Sequence, residues 1–280
     1  MPQPCRRRVS SHLTVDIQTP ARIVLQVAVA DPEPLTVDES LITTIDGRPV
    51  TALEVRAPHG GRWHVLKAPA GRLIVDYSAT LTGRGGVPDE GVADDVRYLH
   101  PSRYAESDRL FAFSRSQFAG IPVGPDLLAA VSSWVGTRLI YLSGSSRPTD
   151  GAVDTLLAGQ GVCRDFAHLV VALLRALDVP ARMVAVYAPG LDPMDFHAVA
   201  EARIDGQWQV VDATLLAPRS ALVRIATGLD ASDTAFLSSY GGDIQMLEQW
   251  VSATVAGPRP EADITDLVQL GRAVRDRSGC

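Results

Sequence analysis

Three side chains in the second half of the chain have the types needed for thiol catalysis: Cys163, His197 and Asp212. A cysteine thiolate attacks carbonyl carbons, an imidazole takes up and returns the proton, and a carboxylate fixes the tautomer of that imidazole. Each residue alone also has an ordinary structural explanation. Free cysteine, for example, is among the most buried residue types. The combination has chemical meaning only if the surrounding elements bring the three side chains together.

Cys163 begins a segment with the periodicity of a helix. Apolar residues recur at steps of three and four through residues 163–177, and Pro180 ends the pattern. A thiol in the first turn of a helix faces free backbone N–H groups and the positive end of the helix dipole, both of which favour the thiolate. The spacing therefore predicts a buried helix with Cys163 at its start. The backbone N–H of Cys163 and the side chain of Gln160 are candidate donors to an oxyanion.

His197 and Asp212 flank a hairpin signal. Residues 197–204 and 207–214 read as strands on either side of Asp205-Gly206, a strong signal for a two-residue turn. In that register His197 and Asp212 lie on one face as a diagonal pair, roughly 7–8 Å apart at the backbone. We therefore expect the helix of Cys163 to pack against the opposite face, which is small and apolar. That face carries Ala198, Ala200, Ala202, Ile204, Val211 and Ala213.

Other chemistry has weaker support. His168 follows Cys163 by five residues and lies about 140° around the helix, so it is a poor partner for the thiol. A zinc site built from Cys163, His168 and His197 lacks a fourth ligand at a sensible spacing. The glycine-rich segment 83–91 lacks the lysine and hydroxyl residue of a phosphate-binding loop and is interpreted as a linker. We expect neither a metal nor a cofactor.

Composition limits the classes of protein that remain. The chain has 280 residues, 46% of them hydrophobic and 21% charged, which is typical of a globular protein large enough for two domains. A net charge of −6 argues against general nucleic-acid binding. The basic run Arg6-Arg7-Arg8 precedes no apolar run of the length that a signal peptide or membrane span needs, so we expect a cytoplasmic protein without membrane contact. Three cysteines give no disulfide framework, and the sequence does not indicate an oligomeric state.

The order of the patterns predicts an α+β protein. Short stretches rich in valine, isoleucine and threonine fill residues 13–81, which predicts an antiparallel β-sandwich or barrel. Helical spacing begins near Ala93, and strand patterns return after the helix of Cys163. We therefore expect a β-rich domain at residues 1–90 and a catalytic domain at residues 91–280.

Three motifs resemble those of the bacterial transglutaminase-like superfamily, which contains papain-like thiol enzymes. The motifs are Gly161-Val162-Cys163-Arg164-Asp165-Phe166-Ala167-His168, Phe196-His197-Ala198-Val199-Ala200-Glu201 and Val210-Val211-Asp212-Ala213-Thr214. The resemblance implies helices packed on an antiparallel sheet, with Cys163 as nucleophile, His197 as base and Asp212 orienting the base. Many members have tryptophan at the position of Val199 and aromatics where this chain has Val210 and Val211, so the walls of the substrate groove differ.

The residues and the resemblance together predict a thiol acyl-transfer enzyme acting on peptide or protein amide bonds. The acyl group would pass to water in a peptidase or amidase, or to an amine in a cross-linking enzyme. The alternative is a non-catalytic interaction module that keeps the same fold. The approach of Cys163 to His197 separates the two hypotheses, since an idle module does not need the thiol beside the imidazole.

Overall fold

The structure is a computed structural model that describes residues 6–30, 36–83, 91–256, 263–265 and 267–270. Most of the linker predicted at residues 83–91 lies outside these ranges, and so do Cys5 and Cys280. The described chain begins with strands, continues with helices and ends with strands.

Seven strands make up the first part of the described chain. They are β1 (Arg6–Ile17), β2 (Ala21–Leu25), β3 (Thr36–Ile45), β4 (Arg48–Pro49), β5 (Leu53–Arg56), β6 (Arg62–Ala68) and β7 (Gly71–Thr82). Buried and exposed side chains alternate along β7, because one face of the strand covers an apolar core. Asp46 and Gly47 form the turn between β3 and β4 with φ angles of 49° and 75°, as is typical of a two-residue hairpin loop.

Helices dominate the middle of the chain. The elements are α1 (Val92–Arg97), α2 (Ser107–Gln117), α3 (Pro125–Arg138), β8 (Ile140–Tyr141), α4 (Ala152–Ala158), β9 (Gln160–Gly161) and α5 (Cys163–Arg175). Helix α5 is the central one, since 11 of its 13 residues are buried. A buried helix that begins at Cys163 is therefore confirmed. Across the described ranges, no helix has the length and apolar character needed to cross a membrane.

Strands return after α5. They are β10 (Ala181–Tyr187), β11 (Phe196–Ile204), β12 (Gln207–Val211) and β13 (Val223–Gly228), followed by the short helix α6 (Ala231–Thr234), β14 (Leu237–Tyr240) and β15 (Ile244–Val255). The first four form an antiparallel sheet in the order β12-β11-β10-β13. Asp205 and Gly206 make the tight turn of the β11–β12 hairpin with φ angles of 50° and 73°, and Ile204 pairs with Gln207 as predicted.

Helix α5 packs on the alanine-rich face of this sheet. Its apolar side chains share one core with Ala200, Ala202 and Ile204 of β11, and helices α2 and α3 cover the other side of α5. Small side chains let the helix approach the strands closely, so the sheet fixes where the first residue of α5 lies. The predicted packing of the Cys163 helix against this face is confirmed.

The remaining long strands form a β-sandwich. One sheet has the order β15-β1-β7-β3-β4 and the other the order β14-β2-β6-β5, and their facing sides share one apolar core. The predicted α+β class, with an antiparallel β-sandwich before a core of helices and sheet, is confirmed. The division at residue 90 stays a prediction. Strands β14 and β15, which belong to the predicted second domain, pair with β2 and β1 of the first.

Two strands end early. Strand β2 ends at Leu25, and the chain then leaves its sheet so that the N–H of Ala30 reaches the carbonyl of Arg224 at 2.9 Å. The strand expected over residues 207–214 ends at Val211. The next residue, Asp212, accepts the backbone N–H of Thr214 on its own carboxylate at 2.9 Å, and this Asx turn diverts the chain.

Candidate active site

Cys163 is the first residue of α5, and a capping interaction fixes it there. The carboxylate of Asp165 accepts the backbone N–H of Val162 at 2.8 Å, which closes the first turn. A Cβ atom on Gly161 would lie 2.7 Å from the Cβ of Asp165, so only glycine fits beside this cap. The Cys163 side chain is partly exposed, and its Sγ lies 4.0 Å from the carbonyl oxygen of Phe196. The thiol thus lies between a helix N-terminus and the start of β11.

His197 is the second residue of β11 and its side chain is fully buried. Its Nε2 atom lies 3.4 Å from Oδ2 of Asp212 and 3.5 Å from the hydroxyl of Thr214. The other ring nitrogen, Nδ1, is buried and makes no hydrogen bond of ordinary geometry with any described residue. Because Nε2 faces Asp212, Nδ1 is the nitrogen left to exchange a proton with the thiol.

The electrostatic surroundings favour a protonated His197. Burial alone would lower its pKa, since a charged ring loses its hydration. The hydrogen bond with Asp212 and the negative charges of Asp212 and of the adjacent Cys163 side chain outweigh burial and raise the pKa of His197 to about 10. The thiol and the imidazole are neighbours, since both line the same cavity.

Asp212 is held by contacts on both its side chain and its backbone. Its Oδ1 accepts the N–H and the hydroxyl of Thr214 at 2.9 and 2.7 Å, and its carbonyl oxygen accepts from Ser132 at 3.1 Å and from Arg219 at 3.0 Å. Burial opposes ionisation, but the hydrogen bond and charge of His197 and the bonds from Thr214 lower the pKa of Asp212. The carboxylate therefore stays charged and oriented toward His197.

Helix α3 supports this end of β12 at close range. A Cβ atom on Gly136 would lie 2.6 Å from the carbonyl oxygen of Ala213. Helix α3 can therefore approach the backbone beside Asp212 this closely only because position 136 is glycine. Ser132, one turn earlier on α3, donates to the Asp212 carbonyl. The position of Asp212 depends on this helix as well as on the hairpin.

The structure thus brings Cys163, His197 and Asp212 into one site, while their catalytic roles stay predictions. Gln160 lies in β9, partly buried, and it is not among the residues that line the cavity beside the thiol. Its role as an oxyanion donor also stays a prediction. His168 points elsewhere: its Nε2 accepts the N–H of Ala231 at 3.1 Å, and its ring stacks on Tyr104.

Burial lowers the pKa of His168 to about 4 even though the nearby Asp230 opposes this, so the ring is neutral. Within the described ranges, no group of three or more His, Cys, Asp or Glu side chains is arranged to hold a metal ion.

Tyr141 was not identified by sequence reasoning. It lies in β8, which pairs in parallel with β9 so that Tyr141 stands opposite Gly161. The centroid of its ring lies 5.7 Å from that of Phe166 in α5. Burial raises the pKa of the Tyr141 phenol, and the charge of Cys163 and a hydrogen bond to its side chain raise it further, whereas a hydrogen bond with the Cys163 backbone lowers it. The phenol is therefore a neighbour of Cys163.

An open cavity of about 560 Å³ borders the thiol and the imidazole. Its walls come from α5, from β10 and β11, and from the segment 231–240 that contains α6 and β14. The volume lies within the roughly 300–1,000 Å³ range of ligand pockets. The site therefore has a partly exposed thiol, a buried charged pair behind it and a space in front that can receive a substrate.

Comparison with known proteins gives a family and several relatives. Residues 113–213 match the family model described as the transglutaminase-like superfamily, a range that contains Cys163, His197 and Asp212. The chain is 32% identical to a candidate cysteine protease from Cytophaga hutchinsonii, whose crystal structure superposes with a TM-score of 0.85 over 94% of this chain and 96% of that one.

Two mycobacterial proteins without a described function are also similar. An uncharacterised protein from Mycobacterium leprae is 25% identical over 206 residues, which is 70% of this chain and 74% of that protein. An uncharacterised protein from Mycobacterium tuberculosis is 32% identical over 116 residues, or 39% of this chain and 36% of that protein. The order of the three motifs, the helix-on-sheet core and the full-length similarity agree: the chain belongs to the transglutaminase-like superfamily.

Proposed function

We propose that this protein is a thiol acyl-transfer enzyme that acts on amide bonds of peptides or proteins. Cys163 is the nucleophile, His197 the base and acid, and Asp212 the group that orients His197. One observation carries the proposal: the fully buried His197 lies 3.4 Å from the Asp212 carboxylate and borders the same cavity as Cys163. Although burial opposes it, both neighbours raise the pKa of His197 to about 10. A charged imidazolium beside a thiol stabilises the thiolate, which is the nucleophilic form.

The first half of the reaction breaks the amide bond. The Cys163 sulfur forms a bond to the acyl carbon, and the carbonyl π electrons move onto the oxygen. When this tetrahedral intermediate collapses, the C–N bond breaks and the leaving amine takes the proton from Nδ1 of His197. Asp212, bound to Nε2, keeps Nδ1 directed at the reacting atoms throughout.

Two donors are suited to the oxyanion. The backbone N–H of Cys163 lies in the first turn of α5, where it has no partner within the helix. The Tyr141 phenol is a neighbour of Cys163, so its O–H can donate to an oxygen bound at that place. Gln160 remains a further candidate that precedes Cys163 by three residues.

The second half of the reaction returns the free thiolate. Neutral His197 removes a proton from the acceptor, the acceptor oxygen or nitrogen bonds to the acyl carbon, and the C–S bond breaks. Water gives hydrolysis, and a primary amine gives cross-linking. The similarity to a candidate cysteine protease over nearly the whole chain favours water as the acceptor.

A non-catalytic interaction module is the weaker explanation. Such a module has no need for an aspartate whose carboxylate accepts two hydrogen bonds from Thr214, a fully buried histidine and a partly exposed thiol in one site. Burying the charged His197–Asp212 pair carries a desolvation cost that a packing role alone does not require. The arrangement therefore supports turnover.

The test is a peptide-library incubation in H₂¹⁸O, with and without a primary amine, followed by mass spectrometry. We expect new carboxyl termini that carry ¹⁸O and that are absent with Cys163→Ala. Asp205→Asn, a change in the exposed turn of the same hairpin, is the matched control and should keep full activity. Products that persist in Cys163→Ala, or a wild-type protein that modifies no peptide in either condition, would contradict the proposal.

A further inference from the structure

The cavity beside the thiol is mainly apolar. Its lining includes Met183, Ala198, Ile225 and Phe236, and it reaches the Cys163 sulfur at one end. Two of the lining rings, Phe196 and Phe236, stack with centroids 4.6 Å apart and planes inclined by 15°. The carbonyl oxygen of Phe196 is the atom 4.0 Å from Sγ. An aromatic wall therefore begins at the residue that contacts the nucleophile.

The charges at this cavity are already neutralised. None of the described residues that line it is an aspartate or a glutamate, and its two cationic residues are Arg164 and His197. Arg164 is paired with Asp165 at 2.9 Å, and His197 with Asp212. A lysine or arginine side chain placed here would meet no free carboxylate, and an acidic one would meet no free cation. Both would lose hydration without a compensating partner.

We propose that this cavity is the specificity pocket of the enzyme and that it accepts a large apolar side chain, preferably aromatic, from the residue that supplies the attacked carbonyl. This inference rests on the proposed function, because it assigns the substrate of the same thiol. The volume suits one bulky side chain and part of the neighbouring backbone. Ser239, which also lines the cavity, is suited to hydrogen-bond that backbone.

Part of this pocket comes from outside the family core. Phe236 and Ser239 follow the matched range of residues 113–213, and Ser239 lies in β14, which pairs with β2 of the β-sandwich. Gln26, just after β2, also lines the cavity and donates to the carbonyl of Asp233 at 2.9 Å, so it holds the segment that forms this wall. The sandwich side of the molecule therefore contributes to substrate choice, while the core supplies the chemistry and the rest of the pocket.

The test uses affinity labels that need no turnover. N-acetyl chloromethyl ketones of phenylalanine, alanine and lysine alkylate a thiolate, since sulfur displaces chloride from the methylene carbon. For each label, the alkylation rate is measured from the mass increase of the peptide that contains Cys163. This rate is divided by the alkylation rate with iodoacetamide, a small reagent that carries no amino-acid side chain. We expect the phenylalanine label to react at least about 10-fold faster than the alanine label, and the lysine label more slowly than both.

Two variants and one control locate the effect. Phe236→Ala removes half of the aromatic wall, and Ser239→Trp fills the cavity from a partly exposed strand position. Each should bring the phenylalanine-to-alanine ratio close to one. Leu53→Ala removes an exposed apolar side chain from β5, in the same sheet as β14 but away from the cavity, and should keep the ratio.

The outcomes separate the pocket from the enzyme. Equal rates for the phenylalanine and alanine labels in the wild type, or a ratio that survives in both variants, would overturn the pocket. A persistent preference for phenylalanine in a protein that cleaves no amide would support the pocket and refute the proposed function. Cleavage of library peptides without preference for a large apolar residue would support the enzyme and refute the pocket.

Discussion

Asp212→Asn probes the charged pair at the centre of the site. In the wild type, Oδ1 accepts two hydrogen bonds from Thr214 and Oδ2 faces Nε2 of His197. Asparagine has one oxygen, and if that oxygen keeps both bonds from Thr214 the NH₂ group must face Nε2. Nε2 then has to accept, so the proton of the neutral ring moves to Nδ1, where it blocks proton uptake from the thiol. We expect turnover to fall on the order of 10⁴-fold.

The same substitution should change stability in a pH-dependent way. His197 has its pKa raised from 6.5 to about 10, and a difference of about 3.5 pH units corresponds to an upper limit of about 5 kcal/mol. Cys163 supplies part of it, so Asp212→Asn should lower the free energy of unfolding at pH 7 by about 2–4 kcal/mol. Because the pKa is raised on folding, this stabilisation is complete below pH 6.5 and is lost as the pH rises through 10.

Urea unfolding of wild type and Asp212→Asn at pH 6.5, 8 and 10 measures the effect. The difference between the two proteins should shrink steadily with rising pH, while Asp205→Asn should follow the wild type at every pH. A difference that is the same at pH 6.5 and pH 10 would refute a charged His197. Unchanged turnover would reduce Asp212 to a residue that only shapes the end of β12.

Three further changes test separate parts of the structure. Iodoacetamide at mildly acidic pH should alkylate Cys163 faster than Cys5 and Cys280, as read by peptide mass spectrometry, and equal rates would contradict an activated thiolate. Tyr141→Phe should lower kcat about 10²-fold with KM unchanged if the phenol stabilises the oxyanion, and steady-state kinetics that show only a higher KM would contradict that role. Burial opposes ionisation of Glu201, but the charges and hydrogen bonds of Arg224 and Arg182 lower its pKa to about 2. Glu201→Gln removes this charge and should lower the free energy of unfolding, measured in urea at pH 7, by about 3–5 kcal/mol. That stabilisation should fade as the pH drops from 4.5 toward 2, and a pH-independent cost would argue against the ion pair.

The parts of the site that could be predicted have local signals. The periodicity after Cys163 gave the helix and its buried face, and Asp205-Gly206 set the register that places His197 near Asp212. Both depend on residues close together in sequence, where steric and turn preferences act directly. The cytoplasmic location and the absence of nucleic-acid contact stay predictions from composition.

The missed features depend on distant contacts. Tyr141 belongs to a strand of two residues, which is too short to show any periodicity, and only its pairing with β9 carries it to the thiol. Phe236 contributes to the cavity because β14 pairs with β2, over 200 residues earlier in the chain. Nothing in the local sequence of either residue encodes its partner, so the pocket could not be predicted together with the nucleophile.

The pairing of β1 with β15 has a consequence for biosynthesis. Arg7 lies opposite Val255, so β1 is synthesised before a partner strand that follows about 250 residues later. The helix-on-sheet core between them is made of nearer neighbours and can fold while that partner is still being synthesised. During this interval the outer edge of β1 is open to pairing with another chain. Slow translation between residues 228 and 255 should therefore prolong the aggregation-prone stage of the nascent protein, and a trigger-factor-type chaperone that shields β1 should raise its yield.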